Sequence, residues 1–161
     1  MDENKFRKLL AKVKQIQASG SYDLSLEEDL SIAVMNLISL EEHFFFTSQK
    51  TGKSDYLDLL QQTREVRKQL LAKMIPVNEG ETWCISKHLL AATMRLIEVG
   101  TKYQTDGKKI EASTAFTQAY KIYSLFWMVR FKLLDLKSVK KIDKAMSIED
   151  LTTQLIDCCQ E

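Results

Sequence analysis

The chain has 161 residues, with 23 Lys and Arg against 22 Asp and Glu, for a formal net charge of +1. That length suits one domain with a real hydrophobic core, and the balanced charge leaves no whole-molecule field to favour nucleic acid or an anionic membrane. One Pro and five Gly leave few breaks, and no β-branched run alternates with polar residues, so the expected class is all-α.

The first predicted helix spans Asn4 to Gln17. Phe6, Leu9, Leu10, Val13 and Ile16 recur at helical spacing, and Lys5, Arg7, Lys8, Lys12 and Lys14 take other positions. Such a basic amphipathic helix can lie on a membrane or on nucleic acid. Packing on its own domain with a solvated lysine face is the simpler expectation. Ala18 to Ser21 is a loop. Ser25-Leu-Glu-Glu28 has capping-box spacing and predicts a second helix running to about Gln49. Leu30, Ala33, Val34, Leu37, Phe44 and Phe45 form its main apolar arc, with Glu41 in the middle. Thr51-Gly-Lys53 is a turn, and Ser54 is placed to cap a third helix to about Ile75. Tyr56, Leu59, Leu60, Thr63, Val66, Leu70, Leu71 and Met74 make its inner face, and Arg67 lies near the centre of that face. Folding the two helices back about Gly52 brings Glu41 within a turn of Arg67. An unpaired charge in a core is costly, so Glu41 is expected to pair with Arg67 or with neighbouring Arg64.

Pro76 stops the third helix. Val77 to Glu81 is a linker in which Asn78 and Glu81 can form a further capping box. Trp83 to Leu134 then reads as two long helices hinged at Asp106-Gly107, with Gly107 free to take the left-handed conformation that closes a last turn. On the first of these helices Cys84, His88, Ala91, Arg95, Glu98 and Lys102 form a narrow, mostly polar stripe. On the second, Ala112, Ala115, Phe116, Ala119, Ile122, Tyr123, Phe126, Leu133 and Leu134 share the apolar side. A basic stretch with Lys137, Lys140, Lys141 and Lys144 follows. Ser147-Ile-Glu-Asp150 then caps a short final helix ending near Cys158.

Gly100, Tyr103, Ala112, Phe116 and Ala119 have the spacing of the small and aromatic positions of a tetratricopeptide repeat. Over about residues 93–126 the hairpin therefore resembles one such repeat. Val99 replaces its preferred Leu, Leu96 its early Trp and Ser124 its closing Pro. The resemblance implies close packing of two antiparallel helices. With no second copy in the chain, it does not imply the stacked peptide-binding superhelix.

The candidate chemistry lies in charges set where helices should be apolar: Glu41, Arg67, His88, Arg95, Glu98 and Arg130. If the two hairpins packed face to face, these groups would line a polar interior able to hold an anionic ligand, with arginines as bidentate donors and Glu41, His88 or Glu98 as acid–base groups. The alternative is a structural ion-pair network. Cys84 and His88, four apart on one helix face, and His43 on another helix are weak zinc-ligand candidates. No Cys-x-x-Cys or His-Glu-x-x-His accompanies them. Leu125, Trp127 and Met128 form an apolar outer face that invites a partner, a second subunit, or cover by a terminal helix.

The three Cys are odd in number, and Cys158 and Cys159 are adjacent. That suits a reducing cytoplasm better than a disulfide framework. The start is charged from Asp2, unlike a signal peptide. The longest apolar run, Tyr123 to Val129, is too short to span a bilayer. The expected architecture is a single helical domain, residues 1–161. Two antiparallel hairpins, 25–75 and 81–135, form its bundle, with 1–24 and 136–161 flanking. The leading functional expectation is a non-catalytic protein-interaction or self-association module without a cofactor, binding a protein partner or a second copy through Leu125, Trp127 and Met128. The alternatives are an enzyme or anion-binding bundle, and a nucleic-acid accessory protein using Lys5 to Lys14 and Lys137 to Lys144.

Overall fold

The computed structural model describes residues 3–76 and 80–133. Among these residues the protein is all-α, with five helices and no strand: α1 Glu3–Ser19, α2 Leu24–Thr51, α3 Asp55–Met74, α4 Gly80–Thr105 and α5 Lys109–Arg130. Contacts divide the chain into two compact units between Met74 and Ile75. Each unit is built on one helical hairpin, α2 with α3 and α4 with α5. No helix among the described residues is long and apolar enough to cross a membrane. The expected basic linker and final helix, together with Asn78, Cys158 and Cys159, lie outside the described residues.

In the first unit, α1 keeps Lys8, Lys12 and Lys14 exposed and Leu9, Val13 and Ile16 half-buried. The start of α2 corrects the sequence reading. Its cap is Asp23, whose carboxylate accepts the Leu26 N–H at 3.1 Å, and Ser25 lies inside the first turn. Asp and Ser are near-equal caps, but the negative charge of Asp also meets the positive helix end. The other end follows expectation. Gly52 is left-handed at φ 68°, and its N–H donates to the Ser48 carbonyl.

The inner face of α3 is narrower than predicted. Thr63, Arg67, Leu71 and Met74 are buried, Tyr56, Leu60 and Leu70 are half-buried, and Leu59 and Val66 are exposed. Phe45 and Phe46 of α2 are exposed as well, although Phe45 belongs to the predicted apolar arc. A helix in a two-helix contact buries a stripe near one residue in four, so residues at the border of a wide apolar arc stay wet.

In the second unit, α4 ends as the glycine predicts. Lys108 N–H donates to the Tyr103 carbonyl and Gly107 N–H to the Gln104 carbonyl, with Gly107 at φ 73°. This is a Schellman closure. The second helix of this hairpin stops earlier than predicted, at Arg130 instead of Leu134, through the same device. Leu133 N–H reaches the Met128 carbonyl, Lys132 N–H reaches the Val129 carbonyl, and Lys132 takes φ 53°. A lysine in the left-handed position gives no sequence signal, because glycine normally holds that place.

The facing helices meet through small residues. Ala112, Ala115 and Ala119 are buried on α5, as is Gly100 on α4. A Cβ added at Gly100 would fall 2.5 Å from Cε1 of Phe116. The missing side chain is therefore what admits the ring. The buried line of α5 runs through its alanines and Phe126, and Phe116 turns to the margin with 39% of its surface exposed.

Candidate functional site

The six misplaced charges divide between the units: Glu41 and Arg67 in the first, and His88, Arg95, Glu98 and Arg130 in the second. In the first, α2 and α3 fold back about Gly52, and their register sets Glu41 opposite Arg67. Arg67 is 1% exposed, on the same line of α3 as Leu71 and Met74. Its Nε donates to Glu41 Oε1 at 2.8 Å, and its Nη2 reaches Oε2 at 3.4 Å. Arg64 Nε stands 3.9 Å from the same Oε2. The Glu41 side chain is 14% exposed, so both charges are largely withdrawn from water. The carboxylate thus meets one guanidinium in two-point contact and a second at longer range. Such a pair resists sliding, because only one alignment of the two helices satisfies both partners.

The polar stripe of α4 does not gather into one environment. Cys84 is buried, whereas His88, one turn later, is exposed. Arg95 is exposed and Glu98 half-buried. Arg130, half-buried at the end of α5, has its guanidinium carbon 5.7 Å from the centre of the Phe131 ring. In the first unit His43 is exposed, with its ring centre 6.4 Å from that of Phe44. Among the described residues, no three His, Cys, Asp or Glu side chains are grouped so as to hold a metal ion.

The predicted outer face of α5 resolves into two patches. Leu125 and Trp127 are neighbours but one in sequence, and a helix sets such positions about 160° apart. Leu125 is exposed on one side, while Met128 is half-buried. Trp127 belongs to an aromatic stripe that sequence reasoning did not isolate. Phe116, Tyr120, Tyr123 and Trp127 follow one another at spacings of four, three and four, which places them within about 60° on the helix. Tyr120 is 73% exposed, and Tyr123 and Trp127 are half-buried. The Trp127 ring packs edge-on against Tyr123 at 5.6 Å and Phe126 at 5.1 Å, and stacks on Phe131 at 5.5 Å. The spacing was legible in the sequence. The orientation was not, because Phe116 and Tyr123 fit the apolar side equally well until the alanines are known to face α4.

A row of aromatics on one helix, exposed at Phe116 and Tyr120 and half-buried at Tyr123 and Trp127, offers large, stiff contact area at low entropic cost. The charge pair of the first unit offers a fixed alignment of two helices. No family model, no curated protein and no solved structure matches this chain.

Proposed function

We propose that this protein is a non-catalytic helical interaction module that associates through the aromatic side of α5, with a second copy of itself or with an apolar helix of a protein partner. The observation carrying this reading is the exposure of Tyr120 and Phe116 in line with half-buried Tyr123 and Trp127. Aromatic residues aligned on a helix are the chemistry by which helices dock on one another. The α4–α5 hairpin is read as a single tetratricopeptide-type packing unit, supported by the fit of Gly100 to Phe116 and by buried Ala112 and Ala119. In this reading the hairpin is a stiff mount for the stripe. The Glu41–Arg67 pair serves as a register lock, since its guanidinium and carboxylate are already engaged with each other.

Sedimentation velocity over a wide concentration range tests the self-association branch. The wild-type mass is expected to rise with concentration, and Tyr120→Ser combined with Trp127→Ala is expected to hold the chain monomeric. A mass that rises equally in that variant would rule out this surface.

A further inference from the structure

We propose that α1 is a reversible membrane anchor: a helix that lies flat on an anionic lipid bilayer with its apolar side against the acyl chains. α1 belongs to the first unit, so this role stands apart from the reading of α5. It follows from where the charges sit around the helix.

With Leu9 at zero and about 100° per residue, Ile16, Leu9, Val13 and Leu10 span an arc of about 120°, interrupted by Gln17 in the last turn. Lys12 and Lys8 lie within about 80° of one edge of this arc, and Lys14 and Arg7 within about 60° of the other. All four are exposed. Glu3, the only acid of the helix, is engaged by Arg7 at 2.7 Å. The pole opposite the arc holds Ala11, Gln15 and Ala18, which are exposed and uncharged. The cations therefore form two rows that border the apolar side, and the outermost face is neutral.

That placement separates the surfaces a basic amphipathic helix can meet. A helix packed on its own domain carries its charges on the face away from the core, and here that face has none. A helix on nucleic acid turns its cations toward phosphates, which would press the arc between the two rows against a charged backbone. A bilayer interface satisfies both sides of the helix together. The apolar side sinks about 5–10 Å into the boundary of headgroups and acyl chains. Lysines on its border lay their methylene stems along the apolar region and raise their ammonium groups to the lipid phosphates.

The apolar side is not taken up by another helix. Among the described residues the extended helix–helix contacts are α2 with α3 and α4 with α5, and no helix packs along α1. Leu10 has 43% of its surface exposed, and Leu9, Val13 and Ile16 are half-buried. The formal charge of +1 on the whole chain does not oppose the contact, because an anionic surface is felt only within a Debye length of about 8–10 Å. Within that reach α1 presents Arg7, Lys8, Lys12 and Lys14 against Glu3.

The experiment floats the full chain with vesicles of phosphatidylcholine and phosphatidylserine in equal parts, and with vesicles of phosphatidylcholine alone. The wild type is expected to float with the mixed vesicles and to stay behind with the neutral ones. Lys8→Gln with Lys12→Gln and Lys14→Gln should weaken binding about a hundredfold, since each cation beside an anionic surface contributes roughly fivefold. The same three positions changed to Arg should keep it. Leu10→Asp should weaken binding at least about tenfold by placing a charge in the buried arc, whereas Leu10→Phe should not. Circular dichroism checks that the helices persist in each variant.

A wild type that does not float with the mixed vesicles overturns the proposal, as does equal binding to both kinds of vesicle. Unchanged binding by Leu10→Asp also overturns it, since the lysines would then adsorb without the apolar side. Duplex DNA that strips the wild type from vesicles, and binds Leu10→Asp as tightly as wild type, would assign the helix to nucleic acid instead. Tyr120→Ser with Trp127→Ala separates this role from that of α5. At concentrations where both proteins are monomeric, that variant should float like the wild type. Loss of binding in it would move the lipid contact to α5 and away from α1.

Discussion

Gly100 is a costly choice in the interior of a 26-residue helix, because glycine there is worth about 1 kcal/mol less than alanine. Its presence has a visible cause in the Phe116 ring, which fills the space a Cβ would take. The sign of a Gly100→Ala change therefore depends on that ring. With Phe116 present, overpacking costs about 1–3 kcal/mol and outweighs the helix gain, so a net loss of roughly 1 kcal/mol is expected. In a Phe116→Ala background the same change should stabilise by up to about 1 kcal/mol. Urea unfolding midpoints of the four proteins decide it. An equal effect in both backgrounds would mean that the ring is not what requires glycine.

Between elements, the Glu41–Arg67 contact fixes how α2 lies along α3. Arg67 is 1% exposed, so Glu41→Leu removes the carboxylate bonded to a buried guanidinium and is expected to cost about 3–5 kcal/mol. Replacing both residues, Arg67→Leu with Glu41→Leu, should cost less than the single Glu41 change, with a coupling above about 1 kcal/mol in a double-mutant cycle. Additive losses would show that the two side chains act separately. This pair was readable from the sequence because the hinge is: Gly52 marks the fold-back, which sets Glu41 level with Thr63 and so within one helical turn of Arg67 on the same face of α3. Gly107 was readable in the same way. The end of α5 was not, because Lys132 occupies a position usually given to glycine. The Asp23 cap was missed because Ser25 with Glu28 offers an equally good local pattern, and only the tertiary placement of the helix start chooses between them. Phe45, Leu59 and Val66 were overassigned to the core because a wheel shows which residues are apolar, not how much of the arc one partner helix covers.

For the whole molecule, a formal charge of +1 leaves little net field to drive or oppose association. The stripe itself carries no charge, so association through it should not weaken as salt rises from about 0.1 to about 1 M, over which the Debye length falls from about 10 to about 3 Å. Salt that strengthens apolar contacts should instead hold the association constant or raise it. Sedimentation equilibrium across the salt range gives that constant, for the wild type and for Tyr120→Ser with Trp127→Ala. A wild-type constant that falls steeply with salt would point to association through the lysine-rich segments and away from the stripe.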